Sequence, residues 1–153
     1  MIPRSRSTRG GARCTVPLPA VAVAVAVALT VAGCGAGVKA QDLFLLKRTG
    51  ASPHAKLTLL INEEGGVQCN GGPVLKLSDH ALVIAKATQE EIKEQAASHM
   101  NLPPRSGSVF SYFLEDENGT VRFSDNSLHQ PGVLRQLQLL VLETAQKVCH
   151  LPE

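Results

Sequence analysis

VFSYFLEDENGTVRFS, residues 109–124, decides the fold. Val109, Ser111 and Phe113 alternate with Phe110, Tyr112 and Leu114, and this β-branched and aromatic pattern predicts a strand over Val109 to Glu115. Asp116-Glu117-Asn118-Gly119 follows, and Asn-Gly between two apolar runs is the strongest short hairpin signal. Thr120 to Ser124 is then the returning strand. Asn118-Gly119-Thr120 also fits a glycosylation sequon, but its place between two strands reads as a turn.

The flanks of this hairpin are helical. Upstream, Ser78 is a natural N-cap and Asp79 suits the first turn. No Gly or Pro interrupts the chain from there to Met100, and Leu82, Ala85, Ile92, Ala96 and Met100 share one face. The spacing predicts a helix over about 79–99, stopped by Leu102-Pro103-Pro104. Downstream, Pro131-Gly132 opens a second helix over about 132–148, with Leu134, Leu137, Leu140, Val141, Ala145 and Val148 as its apolar stripe. Further upstream, three runs read as strands: Asp42 to Arg48, Ala55 to Asn62 and Val67 to Cys69. Turn clusters at 49–53, 63–66 and 70–73 bound them. Strands, helix, hairpin, helix is the order of an α+β domain. The expectation is an antiparallel sheet of four to five strands with two helices packed on one face, over residues 42–153.

The first 34 residues have a different character. Arg4, Arg6, Arg9 and Arg13 precede a run of Ala, Val and Leu at 20–33 broken only by Thr30 and Gly33. That is the layout of a secretory signal peptide, with an apolar core short of the roughly 20 residues of a membrane span. No twin-arginine pair is present, which favours the general secretory route. Val31-Ala32-Gly33-Cys34 closes the run and resembles the lipobox of bacterial lipoproteins, in the Arg- and Ala-rich setting of an actinomycete-like export segment. The resemblance covers residues 1–34. It implies removal of 1–33, a diacylglycerol thioether on Cys34, a flexible tether over 34–41 and a location on the extracytoplasmic face of the cell membrane. Ordinary cleavage at a small-x-small site near Ala32 or Gly35 would instead release the protein, and an uncleaved segment would anchor it directly. Whether the membrane is a plasma or an outer membrane stays open.

Composition then has to be read for residues 34–153. All four early Arg residues leave, so 15 − 4 = 11 basic residues face 13 acidic ones and the net charge is about −2. The charges are mixed along the chain, with no clustered basic face of the kind nucleic acid requires. No Trp, one Tyr and four Phe leave an aliphatic core and little aromatic surface for stacking sugars. Cys14 leaves with the signal peptide and Cys34 carries lipid, so Cys69 and Cys149 remain as the expected disulfide of an exported protein. A redox or metal pair is the alternative, although no CxxC spacing occurs.

Candidate chemistry is sparse. Ser78-Asp79-His80 holds the three residue types of a hydrolase triad, but triad members meet from separate segments and these are sequential. His54, His80, His99, His129 and His150 are scattered with no metal-ligand spacing. Glu90, Glu91 and Glu94 read as a solvated helix face, and Glu115, Asp116 and Glu117 as a soluble hairpin tip. The turns between Asn62 and Pro73 and the tip at Asn118 are the candidate binding rim. The expectation is a non-catalytic, lipid-anchored envelope protein with no cofactor and no metal, binding a protein or ligand outside the membrane. Arg48-Thr49-Gly50, the long helix, the strand pair from Tyr112 to Phe123 and the closing helix resemble small bacterial metalloprotease inhibitors of the emfourin type. That resemblance implies a protease inhibitor as the alternative; the disulfide and the lipid anchor are departures from it. An uncharacterised hydrolase is the third reading.

Overall fold

A computed structural model describes residues 41–52 and 54–151. The signal segment, Cys14, the lipobox with Cys34 and the tether up to residue 40 lie outside the described residues.

Among the described residues the element order is β1 (Asp42–Gly50), β2 (Leu57–Asn62), β3 (Gly66–Cys69), β4 (Val74–Lys76), α1 (Asp79–Ala97), β5 (Phe110–Asp116), β6 (Gly119–Ser124) and α2 (Gly132–Lys147). The strands form one open antiparallel sheet in the order β4-β3-β2-β1-β5-β6. The fold is α+β, as the element order requires.

The sheet has one strand more than the expected four to five, and the extra strand is β4. Asn70-Gly71-Gly72-Pro73 ends β3 as expected, and it also turns the chain back into β4. Asn70 and Gly71 both have positive φ, 53° and 73°, and Gly72 N–H donates to Cys69 O at 3.0 Å. Two successive positive φ values are the signature of a type I′ turn, for which Asn-Gly is the preferred pair. At the other Asn-Gly the hairpin forms, but with a different turn. Asp116 pairs with Gly119, so Glu117 and Asn118 are the central residues. Asp116 Oδ1 accepts from the N–H of Asn118 at 2.8 Å and of Gly119 at 2.9 Å, the side-chain pattern of an Asx turn. Asp116 is buried there and is not a solvated tip residue. Gly119 is required by space: a Cβ on it would collide with the carbonyl oxygen of Ala96, near the end of α1.

Register places the core. Leu46 pairs with Leu59 and Leu114, Leu114 with Val121, Tyr112 with Phe123, and Ile61 with Val67. Alternate residues of a strand share a face, so these all lie on one side of the sheet. They form one buried cluster with Ala85, Ile92 and Ala96 of α1 and Leu134, Leu137 and Val141 of α2. Both helices therefore cover that inner face, and all buried members of the cluster lie between Leu43 and Ala145. This stretch carries a complete core of its own, as an independent domain does. Ser78 caps α1 by accepting from Ala81 N–H. The disulfide Cys69–Cys149, with Cα atoms 5.8 Å apart, ties the end of β3 to the residues just after α2. No helix among the described residues is long and apolar enough to cross a membrane.

Candidate functional site

The outer face of the sheet is built by the opposite parity. Lys47 pairs with Thr58 on one side and Phe113 on the other, and Phe113 pairs with Arg122. Thr58, Lys47, Phe113 and Arg122 thus stand in one row across β2, β1, β5 and β6. Lys47 Nζ lies 5.6 Å from the centre of the Phe113 ring, and the Arg122 guanidinium carbon lies 4.3 Å from it. Both distances are within the range at which a cation is held by an aromatic face. The ring keeps two long side chains near each other on an open surface. Glu115 follows on the same face and is the carboxylate of this region.

A hollow of about 570 Å³ lies over the row, walled on one side by Asn101, Leu102 and Pro104. That wall is fastened to the sheet. Leu102 N–H donates to Arg122 O, and Arg122 N–H donates to Met100 O, both at 2.8 Å. Ser127 Oγ reaches the carbonyls of Leu102 and Pro103, both at 3.0 Å. Asn126 bonds Arg105 in both directions, 3.0 and 3.3 Å. The two bonds to Arg122 also satisfy the middle of the open edge of β6, which would otherwise present unpaired backbone groups there.

Asp125 anchors the start of β5. Its carboxylate accepts from Ser108 Oγ at 2.8 Å, Val109 N–H at 3.0 Å and Phe110 N–H at 3.2 Å, and Ser108 and Ser124 hydroxyls touch each other beside it. Desolvation pushes its carboxyl pKa up, but the bonds from Ser108, Val109, Phe110 and Ser124 outweigh this and hold it below the usual carboxylate value. Burial pushes the Tyr112 phenol up, against a lowering pull from Arg48.

The residues singled out by sequence fall elsewhere. Ser78 Oγ is engaged as a helix cap. Ser78, His80 and Glu143 do line one hollow between the helices, but no hydrogen bond joins them and Glu143 pairs with Lys147 at 3.3 Å. His99, His129 and His150 all have positive φ, and His99 and His150 follow the ends of α1 and α2. Their places are helix ends and a turn, where the left-handed conformation closes off the backbone. No group of three His, Cys, Asp or Glu among the described residues could hold a metal ion. Glu90 is 2.6 Å from Lys93. Of the expected rim, Asn62, Gly66 and Gln68 line a hollow of about 250 Å³ with Gln41, Asp42, Leu60 and Val74, while Asn118 lines none of the described hollows. Lys47, Phe113, Arg122 and Asp125 were not marked by any motif; strand parity could have put Lys47 and Phe113 on outward positions, but only pairing register aligns them.

No protein-family model, curated protein or solved structure matches the chain.

Proposed function

We propose that this is an exported, lipid-anchored envelope protein whose domain binds and does not catalyse, holding an acidic segment of a protein partner against the outer face of its sheet. The observation that carries the reading is the row Lys47, Phe113, Arg122: two cations held over one ring, on the side of the sheet that neither helix covers. The charge argument points the same way. Residues 34–153 carry 11 basic and 13 acidic residues, yet this face sets Lys47 and Arg122 against Glu115 alone. Local positive potential on a mildly acidic domain steers and orients an anionic segment. The hollow is open to solvent, and two cations are too few for a nucleic-acid backbone, which calls for a clustered basic face. The lipid on Cys34 would keep this surface on the extracytoplasmic side of the membrane.

The test uses residues 41–153, labelled with ¹⁵N, and a glutamate-rich decapeptide beside its lysine-rich counterpart. The expected result is salt-sensitive shifts of the Lys47, Phe113 and Arg122 signals with the acidic peptide only, lost in Lys47→Glu/Arg122→Glu. Absence of shifts, or shifts centred elsewhere, removes the reading. Micromolar domain slowing a secreted metalloprotease would move the assignment to the emfourin-like alternative. For the anchor, Cys34→Ala in the full chain is expected to lose labelled palmitate and leave the membrane fraction. A variant that stays membrane-bound and unprocessed overturns the tether.

A further inference from the structure

Arg48 follows Leu46 on β1 with the same parity, at the margin of the helix-covered face. It is 6% exposed. Its guanidinium offers five N–H donors. Nε donates to the Ala55 carbonyl at 3.0 Å and Nη2 to the His54 carbonyl at 3.2 Å, and the group lies over the Phe110 ring at 4.8 Å. Among the described residues, these two carbonyls are the hydrogen-bond acceptors found for its five donors. No carboxylate among the described residues pairs with it, since the ion pairs there are Lys93–Glu90 and Lys147–Glu143. Asp125 directs its oxygens to Ser108, Val109 and Phe110 instead. A buried cation without a counter-charge is strongly disfavoured unless something compensates it.

The same side chain lines a pocket of about 240 Å³ between the β1–β2 connection and the C-terminal half of α2. The other walls include Ala55, Phe110, Leu142, Ala145 and Leu151. An apolar cavity with one convergent charged group is the usual form of a small-molecule site, and this volume falls below the roughly 300–1,000 Å³ of drug-sized ones. The planar guanidinium fork matches a carboxylate in two parallel bonds. Ser52, His54 and Gln146 complete the lining, so the walls are mostly apolar and Arg48 is their one guanidinium. We infer that this pocket binds a small monocarboxylate with a short apolar body, its carboxylate on Arg48 and its body against Phe110, Leu142 and Leu151. The inference is independent of the outer face, because Arg48 and Lys47 project to opposite sides of β1. The carboxylate has two possible sources, a free acid or the C-terminus of a peptide ending in an apolar residue.

The experiment titrates ¹⁵N-labelled residues 41–153 with octanoate, octanol and N-acetyl-leucine, following the Arg48 Nε–H signal and the amides of Ala55, Leu142 and Ala145. Octanoate is expected to bind at least tenfold more tightly than octanol and to shift the Arg48 signal; Arg48→Met should abolish that preference. N-acetyl-leucine binding in place of octanoate assigns the source as a chain terminus, and octanoate binding alone assigns a free acid. Leu142→Glu keeps the test decisive if Arg48→Met fails to fold. A carboxylate placed on the pocket wall should compete for Arg48 and weaken the preferred acid at least tenfold. Equal binding of octanoate and octanol, no binding of either acid, or an affinity unchanged in Leu142→Glu overturns the inference.

Discussion

Along β5, Tyr112 and Leu114 face the helices while Ser111, Phe113 and Glu115 face away, so one step of the chain separates two different environments. On the inner side, Leu114 meets Leu46, Val121 and the two helices in a closed cluster where shape and volume decide the energy. On the outer side, Phe113 meets two cations and solvent, and charge decides what it can do. The difference teaches that on β5 parity alone separates closely packed positions from charged, solvent-facing ones. Substitutions on one face should be read by melting, and on the other by binding.

The largest expected effect lies on the inner side, where Cys69 pairs opposite Leu59 and bridges to Cys149 across a separation of 80 residues. Replacing both cysteines by Ala should lower unfolding free energy by about 4 kcal/mol on the chain-entropy account, measured by urea denaturation. A loss below about 1 kcal/mol would mean that the tie constrains little in the unfolded chain. Next comes Leu114→Ala, expected to cost about 2–5 kcal/mol through lost burial and the cavity left behind. The neighbouring Phe113→Ala should cost about 1 kcal/mol or less, since it removes only surface contacts, yet abolish the response to the acidic peptide. Equal melting losses in these two variants would break the comparison between the faces.

Asp125 gives a sharper, smaller effect through pH. Its folded pKa is lowered, so the stability it contributes is present above the unfolded carboxyl value of about 3.9 and is lost as pH falls through the folded value. Asp125→Asn should lower stability by about 1 kcal/mol at neutral pH, because the site is partly exposed and its bonds are only weakened. The melting temperature of the unaltered domain should fall more steeply than that of the variant as pH drops below about 4. Identical acid profiles would show that the Ser108–Phe110 clamp does not depend on this charge. The smallest effect is expected at Glu90→Ala, which removes an exposed pair with Lys93. No resolvable change in melting should follow, because such pairs are offset by side-chain entropy and screening.

Most of the elements were legible in the sequence. The helical stripes put Ala85, Ile92, Ala96, Leu134, Leu137 and Val141 in the core, where they are found. Asp79 and Gly132 open their helices as the caps and breakers indicated. The miss was β4, three residues long and too short to show a period. The two Asn-Gly pairs explain the rest. Asn70-Gly71 adopts the turn that the dipeptide favours, whereas Asn118 keeps a negative φ because the Asp116 carboxylate claims the N–H groups of the turn first. The hydroxyls of Thr88 and Thr144 are buried on the helices with no hydrogen-bond partner among the described residues, an outcome that a polar residue type does not announce.

By itself the sequence determined what is periodic or local: the two helices with their buried stripes, five of the strands and the capping Ser78. Only the tertiary structure decided which strands are neighbours, and with that the alignment of Lys47, Phe113 and Arg122 and the enclosure of Arg48 beside α2. The physical reason is range. Periodicity records which side of an element turns inward, a property of residues two to four apart, while a site depends on pairings between residues tens of positions apart that no single segment encodes.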